Sequence, residues 1–187
     1  WSDDYLKSVA GNWYGSRQQR ANNVTFADYI DARQKNVSLS YSSMCNLPSR
    51  LIQDVIESNI SHIMCNAWSR IGTPKLRYTD GNEKKNFVHF DGAGFIMIQL
   101  AGSRVWSLAE PSSIILNPEF GYQYKNLTHS QKSMFENEGI YRGRMGVGDI
   151  IHVPAYWWHE VQIGSGRNMA FHASFNSKYN TITIPSV

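Results

Sequence analysis

Two segments of this chain carry side chains that could converge on one metal ion. The first is Asn86-Phe87-Val88-His89-Phe90-Asp91-Gly92, a strand-like run ending in His-x-Asp. In an extended chain residues i and i+2 share a face, so the imidazole of His89 and the carboxylate of Asp91 point the same way. The second is Gly148-Asp149-Ile150-Ile151-His152-Val153-Pro154-Ala155-Tyr156-Trp157-Trp158-His159. There a Gly-Asp turn launches a strand, Pro154 stops it and His159 follows. Two imidazoles and one carboxylate make the facial triad of a non-haem Fe(II) site and leave coordination positions open for a cosubstrate and dioxygen. A lone His-x-Asp carries little information, because a histidine hydrogen-bonded to a nearby Asp is a common structural feature. The joint occurrence of both segments among short strands is what favours a metal. His62, His129 and His152 read as core or surface histidines.

The elements that must position these residues divide the chain in two. Thr25-Phe26-Ala27-Asp28 has the capping-box form and opens a helix through about Arg33. Leu51, Ile52, Val55 and Ile56 recur at helical spacing behind Pro48, which predicts a second helix from about Pro48 to Ser58. From residue 60 the texture changes to short runs rich in Val, Ile, Phe and Trp. Strands are expected at Ile60 to Trp68, Asn86 to Asp91, Phe95 to Ala101, Arg104 to Leu108, Ile140 to Met145, Asp149 to Val153, Glu160 to Ile163 and Met169 to Phe175. Strands this short and closely spaced imply a sandwich or barrel. A polar stretch from Asn117 to Asn137 interrupts them; it reads equally as a lid or binding loop and as a surface excursion. The expected organisation is one domain over residues 1–187, with a helical portion at 1–59, a β core at 60–176 and the insertion at 117–137.

On these motifs the sequence resembles the cupin-type JmjC oxygenases, the Fe(II)- and 2-oxoglutarate-dependent group that includes the asparaginyl hydroxylase of hypoxia-inducible factor. His89-Phe90-Asp91 resembles the family's first ligand strand, and Pro154 with Trp157-Trp158-His159 resembles its second motif. Gln99, Gly102, Arg104 and Trp106 fall where the family has a strand, a turn and a cosubstrate anchor. The resemblance covers about Ile60 to Asn176. It implies a mainly β double-stranded β-helix, the cupin or jelly roll, with flanking N-terminal helices and the metal between its sheets. It implies Fe(II) held by His89, Asp91 and His159, and 2-oxoglutarate as cosubstrate. Decarboxylation of that acid to succinate and carbon dioxide would accompany hydroxylation of a substrate C–H bond. The substrate so implied is a protein or peptide side chain, with a small molecule or RNA behind it.

Where the family usually has Lys, fifteen residues after the first ligand, this chain has Arg104. A guanidinium can grip a carboxylate through two parallel hydrogen bonds, so the anchor role persists with a bulkier, planar group. The alternative is a structural salt bridge at the sheet edge. Ser174 stands where the family often has Asn, and His172 shares its face by strand parity; both are candidate cosubstrate contacts, His172 equally a buried histidine satisfied by backbone. Asn86 matches a position where the family often has Thr against the cosubstrate. Trp157 and Trp158 are expected to pack the sheet and position His159, and Asp149 to belong to its turn. Arg104 and Ser174 also keep open a metal-dependent cupin that does not use 2-oxoglutarate. A silent jelly roll used for binding is the third reading.

Composition bounds these readings without choosing among them. Hydrophobic residues make up 42%, charged residues 18% and aromatics 13% of 187 residues, which excludes a disordered tail or a coiled coil. The net charge of +3 is scattered in short clusters and names no partner. No apolar run is long enough for a membrane span, so a soluble protein of open oligomeric state is expected. Cys45 and Cys65 are too few for a cysteine zinc site and read as reduced thiols. Four Asn-x-Ser/Thr sequons, at Asn23, Asn36, Asn59 and Asn126, hint weakly at a secretory route. Trp1 in place of Met suggests a trimmed N-terminus whose address is not read.

Overall fold

The structure is a computed structural model, and it describes residues 1–14, 20, 22–35, 43–45, 47–58, 74–79, 84–85, 88–112 and 141–175. Among the described residues three helices are laid out, the third after the first strand. α1 (Asp3–Ala10) starts where the Ser2 hydroxyl accepts from the Tyr5 amide, with Asp3 and Asp4 in the first turn complementing the helix dipole. α2 (Phe26–Gln34) opens on the predicted capping box, Thr25 and Asp28 satisfying each other's backbone amides. α3 (Ser49–Glu57) follows Pro48 and buries Leu51 and Val55.

Among the described residues nine strands follow the first two helices: β1 (Ser43–Cys45), β2 (Lys75–Thr79), β3 (Lys84–Lys85), β4 (Phe95–Ala101), β5 (Arg104–Ala109), β6 (Tyr141–Met145), β7 (Ile150–Val153), β8 (Trp158–Ile163) and β9 (Asn168–Ser174). They form two antiparallel sheets, ordered β1-β2-β9-β4-β7 and β3-β8-β5-β6. The first sheet is covered on both faces, which explains why β4 and β9 read as nearly unbroken apolar runs. Ile96, Ile98, Met169, Phe171 and Ala173 turn toward the helices, joining Leu6, Phe26, Ile30 and Leu51. Phe95, Met97 and Ala170 turn the other way, into a second core shared with Trp106, Met145, Val153, Val161 and Ile163. The second sheet covers that core from the other side. From β2 to β5 and again from β6 to β9 the chain alternates between the sheets, as in the double-stranded β-helix of cupins, and the fold is mainly β with flanking N-terminal helices.

Several boundaries differ from expectation. The run before Asp91 is not a strand among its described residues: only His89 pairs, in a single bridge to His159. β8 begins at Trp158, so His159 lies inside a strand rather than ahead of one. α1, β1 and β2 were not expected. β1 pairs with β2 at Met44 opposite Leu76, so the first third also contributes to a sheet. The expected strand Ile60 to Trp68, the insertion Asn117 to Asn137, Asn86, Cys65, His62, His129 and the sequons at Asn36, Asn59 and Asn126 lie outside the described residues. Asn23 is described, with φ of 53° and its side-chain carbonyl accepting from the Tyr14 hydroxyl.

The β4–β5 connection crosses from the first sheet to the second. Gly102 and Ser103 make this two-residue link, with Gly102 at φ of 71°. A Cβ there would lie 2.7 Å from the Arg167 carbonyl oxygen and from Asn168 Nδ2, so only glycine fits. Arg104 follows at once and points between the sheets.

Candidate metal centre and cosubstrate pocket

The one bridge between the 88–91 segment and β8 brings the candidate ligands together. His89 N–H donates to the His159 carbonyl at 3.0 Å and His159 N–H donates to the His89 carbonyl at 2.7 Å, so the residues sit directly opposite each other. Their rings are 4.2 Å apart between centroids. Asp91 lies two residues on, its backbone held by the Tyr156 N–H, which donates to the Asp91 carbonyl at 2.9 Å. Asp91 Oδ2 is 3.8 Å from His159 Nε2. Potential ligand atoms of His89, Asp91 and His159 all lie within 4.8 Å of one another.

The protonation state of His159 suits a ligand. Its Nδ1 is 3.0 Å from the Trp157 carbonyl; with Nδ1–H donating there, the Nε2 lone pair faces Asp91. Burial, with His89 beside it, pushes His159 down to about 4, so the ring is neutral at neutral pH. The Trp157 and Asp91 oxygens oppose this shift less strongly. Trp158 is buried and meets Phe90 edge-on at 4.6 Å, clamping β8 to the segment that carries Asp91. Both tryptophans thus do what the sequence suggested. Asp149 does too: its Oδ2 accepts from Gly146 N–H at 2.7 Å within the turn before β7.

Deeper in the jelly roll lies Arg104, 4% exposed. Its Nε donates to Asn168 Oδ1 at 3.1 Å and its Nη1 to Met97 Sδ at 3.3 Å. Nη2 is buried with no hydrogen-bond partner among the described residues. Burial, then repulsion from Arg77, brings the guanidinium down to about 10, and it stays charged at neutral pH. Among the described residues Arg104 makes no salt bridge: its partners, the Asn168 amide oxygen and the Met97 sulfur, are not anions. A buried cation without a counter-charge costs several kcal/mol, and a carboxylate arriving at Nη2 would relieve that cost. The residues present therefore fit an acid cosubstrate.

Three more buried polar atoms on this core lack partners among the described residues: Gln99 Oε1, Trp106 Nε1 and His172 Nδ1. His172 stands opposite Met97 and its ring is 4.8 Å from Phe95, which in turn is 5.4 Å from His159. Burial first, then Arg77, Lys75, Arg104 and His159, push His172 down to about 3. It shares the inward face with Ala170 and, by parity, with Ser174, which stands opposite Phe95. The backbone-satisfied alternative for His172 does not hold at Nδ1.

Sequence reasoning missed Asn168. It is fully buried; Oδ1 accepts from Arg104 and, at 3.0 Å, from Gln99 Nε2, while Nδ2 donates to the Ser103 carbonyl at 2.6 Å. It fixes the guanidinium relative to the β4–β5 connection. A polar residue opening an apolar strand was the only available signal.

The chain is a two-sheet cupin barrel that carries a His-Asp-His cluster and a buried cation with no counter-charge among the described residues. Residues 41–183 match the JmjC domain family, and the chain belongs to it. No curated protein matches the chain. Similar solved structures include the ribosomal oxygenase YcfD from Escherichia coli in complex with cobalt and 2-oxoglutarate (18% identity, 62% of this chain and 27% of that one, TM-score 0.44). A cupin superfamily protein from Desulfitobacterium hafniense DCB-2 matches at 12% identity over 57% of this chain and 68% of that one, with TM-score 0.36. The Lactobacillus farciminis oxalate decarboxylase formate complex matches at 9% identity over 59% and 25%, with TM-score 0.39. The chain thus spans about a quarter of YcfD. Among the described residues no helix is long and apolar enough to cross a membrane.

Proposed function

We propose that this chain hydroxylates a C–H bond of a protein or peptide side chain, with His89, Asp91 and His159 holding Fe(II) and Arg104 holding the distal carboxylate of 2-oxoglutarate. The observation that carries the reading is the buried guanidinium of Arg104, whose Nη2 lacks a partner among the described residues and which no described carboxylate neutralises. Iron at such a centre activates dioxygen with electrons from 2-oxoglutarate, which leaves as succinate and carbon dioxide.

Each residue has a part in this. His159 is kept neutral, with its Nδ1 on the Trp157 carbonyl, so that Nε2 is free to ligate. Asp91, half-exposed, supplies the carboxylate ligand, its Oδ2 already 3.8 Å from His159 Nε2. Asn168 and Met97 steer Arg104 and leave Nη2 for the acid. His172 and Ser174 supply further hydrogen bonds to the cosubstrate, and Asn86 is included on the family resemblance alone. Phe95 and Trp106 wall the centre and exclude water, their rings 5.4 and 6.0 Å from His159.

With Fe(II), ascorbate and substrate, the protein should convert 2-oxoglutarate to succinate, and Asp91→Ala or His159→Ala should abolish this. Turnover persisting in both variants contradicts the ligand assignment. Stoichiometric metal binding without any binding of 2-oxoglutarate would favour the metal-dependent cupin that uses another acid.

A further inference from the structure

Among the described residues β6 pairs only with β5 and β7 only with β4, so each presents a free lateral edge on the same side of the jelly roll. Between these edges lies a cleft of about 410 Å³, within the range of ligand sites. Its floor is built by Trp106, Leu108, Met145 and Ile151. That floor continues to the candidate metal centre: Leu108 stands opposite His159, and Trp106 lies beside its ring.

Gly143 marks the way in. It is directly opposite Trp106 in the β5–β6 register, so a side chain there would share Trp106's face. A Cβ at Gly143 meets nothing within 4 Å, and its φ is not positive, so neither crowding nor backbone conformation requires glycine. A glycine inside a strand weakens it and often marks where another backbone or ligand approaches closely. Below it, the indole N–H of Trp106, 2% exposed, has no acceptor among the described residues.

The rim is basic. Arg142 and Arg144 flank Gly143, both exposed and without an ion pair among the described residues, and Tyr141 beside them is 59% exposed. Arginines on a free edge repel a second copy of that edge and favour a strand of opposite charge.

We propose that this cleft docks an extended, acidic peptide segment, which adds as a strand to the edge of β6 and passes one side chain over Gly143 and Trp106 toward the metal ligands. The proposal rests on the peptide-hydroxylase reading and names where and by what chemistry the substrate is held. The probe is a fluorescein-labelled octapeptide of alternating glutamate and leucine, with its lysine-leucine counterpart, titrated into Co(II)-loaded protein with 2-oxoglutarate and followed by anisotropy. The acidic peptide should bind, weaken as salt rises, and slow amide exchange in β6; the basic one should not bind. Arg142→Glu with Arg144→Glu, and separately Gly143→Leu, should each weaken binding at least tenfold. Equal binding of both peptides, no binding of either, unaltered affinity in Gly143→Leu, or displacement by an oligonucleotide would overturn the proposal. Binding of 2-oxoglutarate, measured in the same preparations, separates the two readings: its loss in the unsubstituted protein sinks the oxygenase assignment, whereas its retention without peptide binding sinks only the docking site.

Discussion

At the scale of single residues, the pocket is defined by buried polar atoms that find no partner among the described residues. Arg104→Ala should raise the dissociation constant for 2-oxoglutarate roughly 10- to 100-fold, the worth of one charge-assisted hydrogen bond, while Arg104→Lys should recover part of it. Calorimetric titration of metal-loaded protein checks both; undiminished affinity in Arg104→Ala removes the anchor. His172 leads to a pH dependence. In the unfolded chain it has the ordinary value of 6.5, and in the native chain about 3. Between those values the unfolded chain binds a proton that the native chain refuses. Stability of the metal-free protein is therefore full above pH 6.5 and falls as pH drops toward 3, by up to about 1.4 kcal/mol per pH unit. Urea midpoints at pH 7.5 and pH 5 should show the loss. His172→Leu should reduce it without abolishing it, because His159, held at about 4, acts in the same direction.

At the scale of elements, the parts that hold the site are joined by a few specific contacts. Gly102→Val should cost about 2 kcal/mol or more, since it forces a β-branched residue into the left-handed region against the Arg167 carbonyl and the Asn168 amide. Because Asn168 steers Arg104, the same variant should also weaken 2-oxoglutarate binding. α1 is tied to the sheet by Asp3, whose carboxylate accepts from Tyr78 Oη and Arg167 Nε, both at 2.9 Å, and pairs with Arg33. Burial alone would raise Asp3; the Tyr78 and Arg167 hydrogen bonds outweigh it and hold the group below the usual carboxylate range. Asp3→Ala should cost about 2–3 kcal/mol, read as a lower urea midpoint with an unchanged slope. These contacts explain what could be read in advance. β4, the Gly102 turn, β5 and β7 were legible because apolar runs and Gly or Pro punctuation are local signals. α1 was not, because its docking depends on Arg33, Tyr78 and Arg167, far along the chain. β2 was not, because Lys75, Arg77 and Thr79 alternate with only two buried residues, Leu76 and Tyr78.

At the scale of the whole molecule, the double-stranded β-helix places opposite one another residues that are far apart in sequence. The ligand types and their spacing were visible from the start, and so was the family resemblance. The geometry was not: His89 meets His159 through one isolated bridge instead of a full strand, and Asn168 reaches Arg104 across the interior. Side-chain parity could place His172 on an inward face but could not show that its Nδ1 is left without a partner. The most direct test of the account is an anaerobic titration of 2-oxoglutarate into Fe(II)-loaded protein, with iron content measured per chain. One iron per chain is predicted, with saturable 2-oxoglutarate binding that requires the metal; His159→Ala should lose both and Arg104→Ala only the second. Failure of the iron-loaded protein to bind 2-oxoglutarate, or unchanged iron content in His159→Ala, would contradict it.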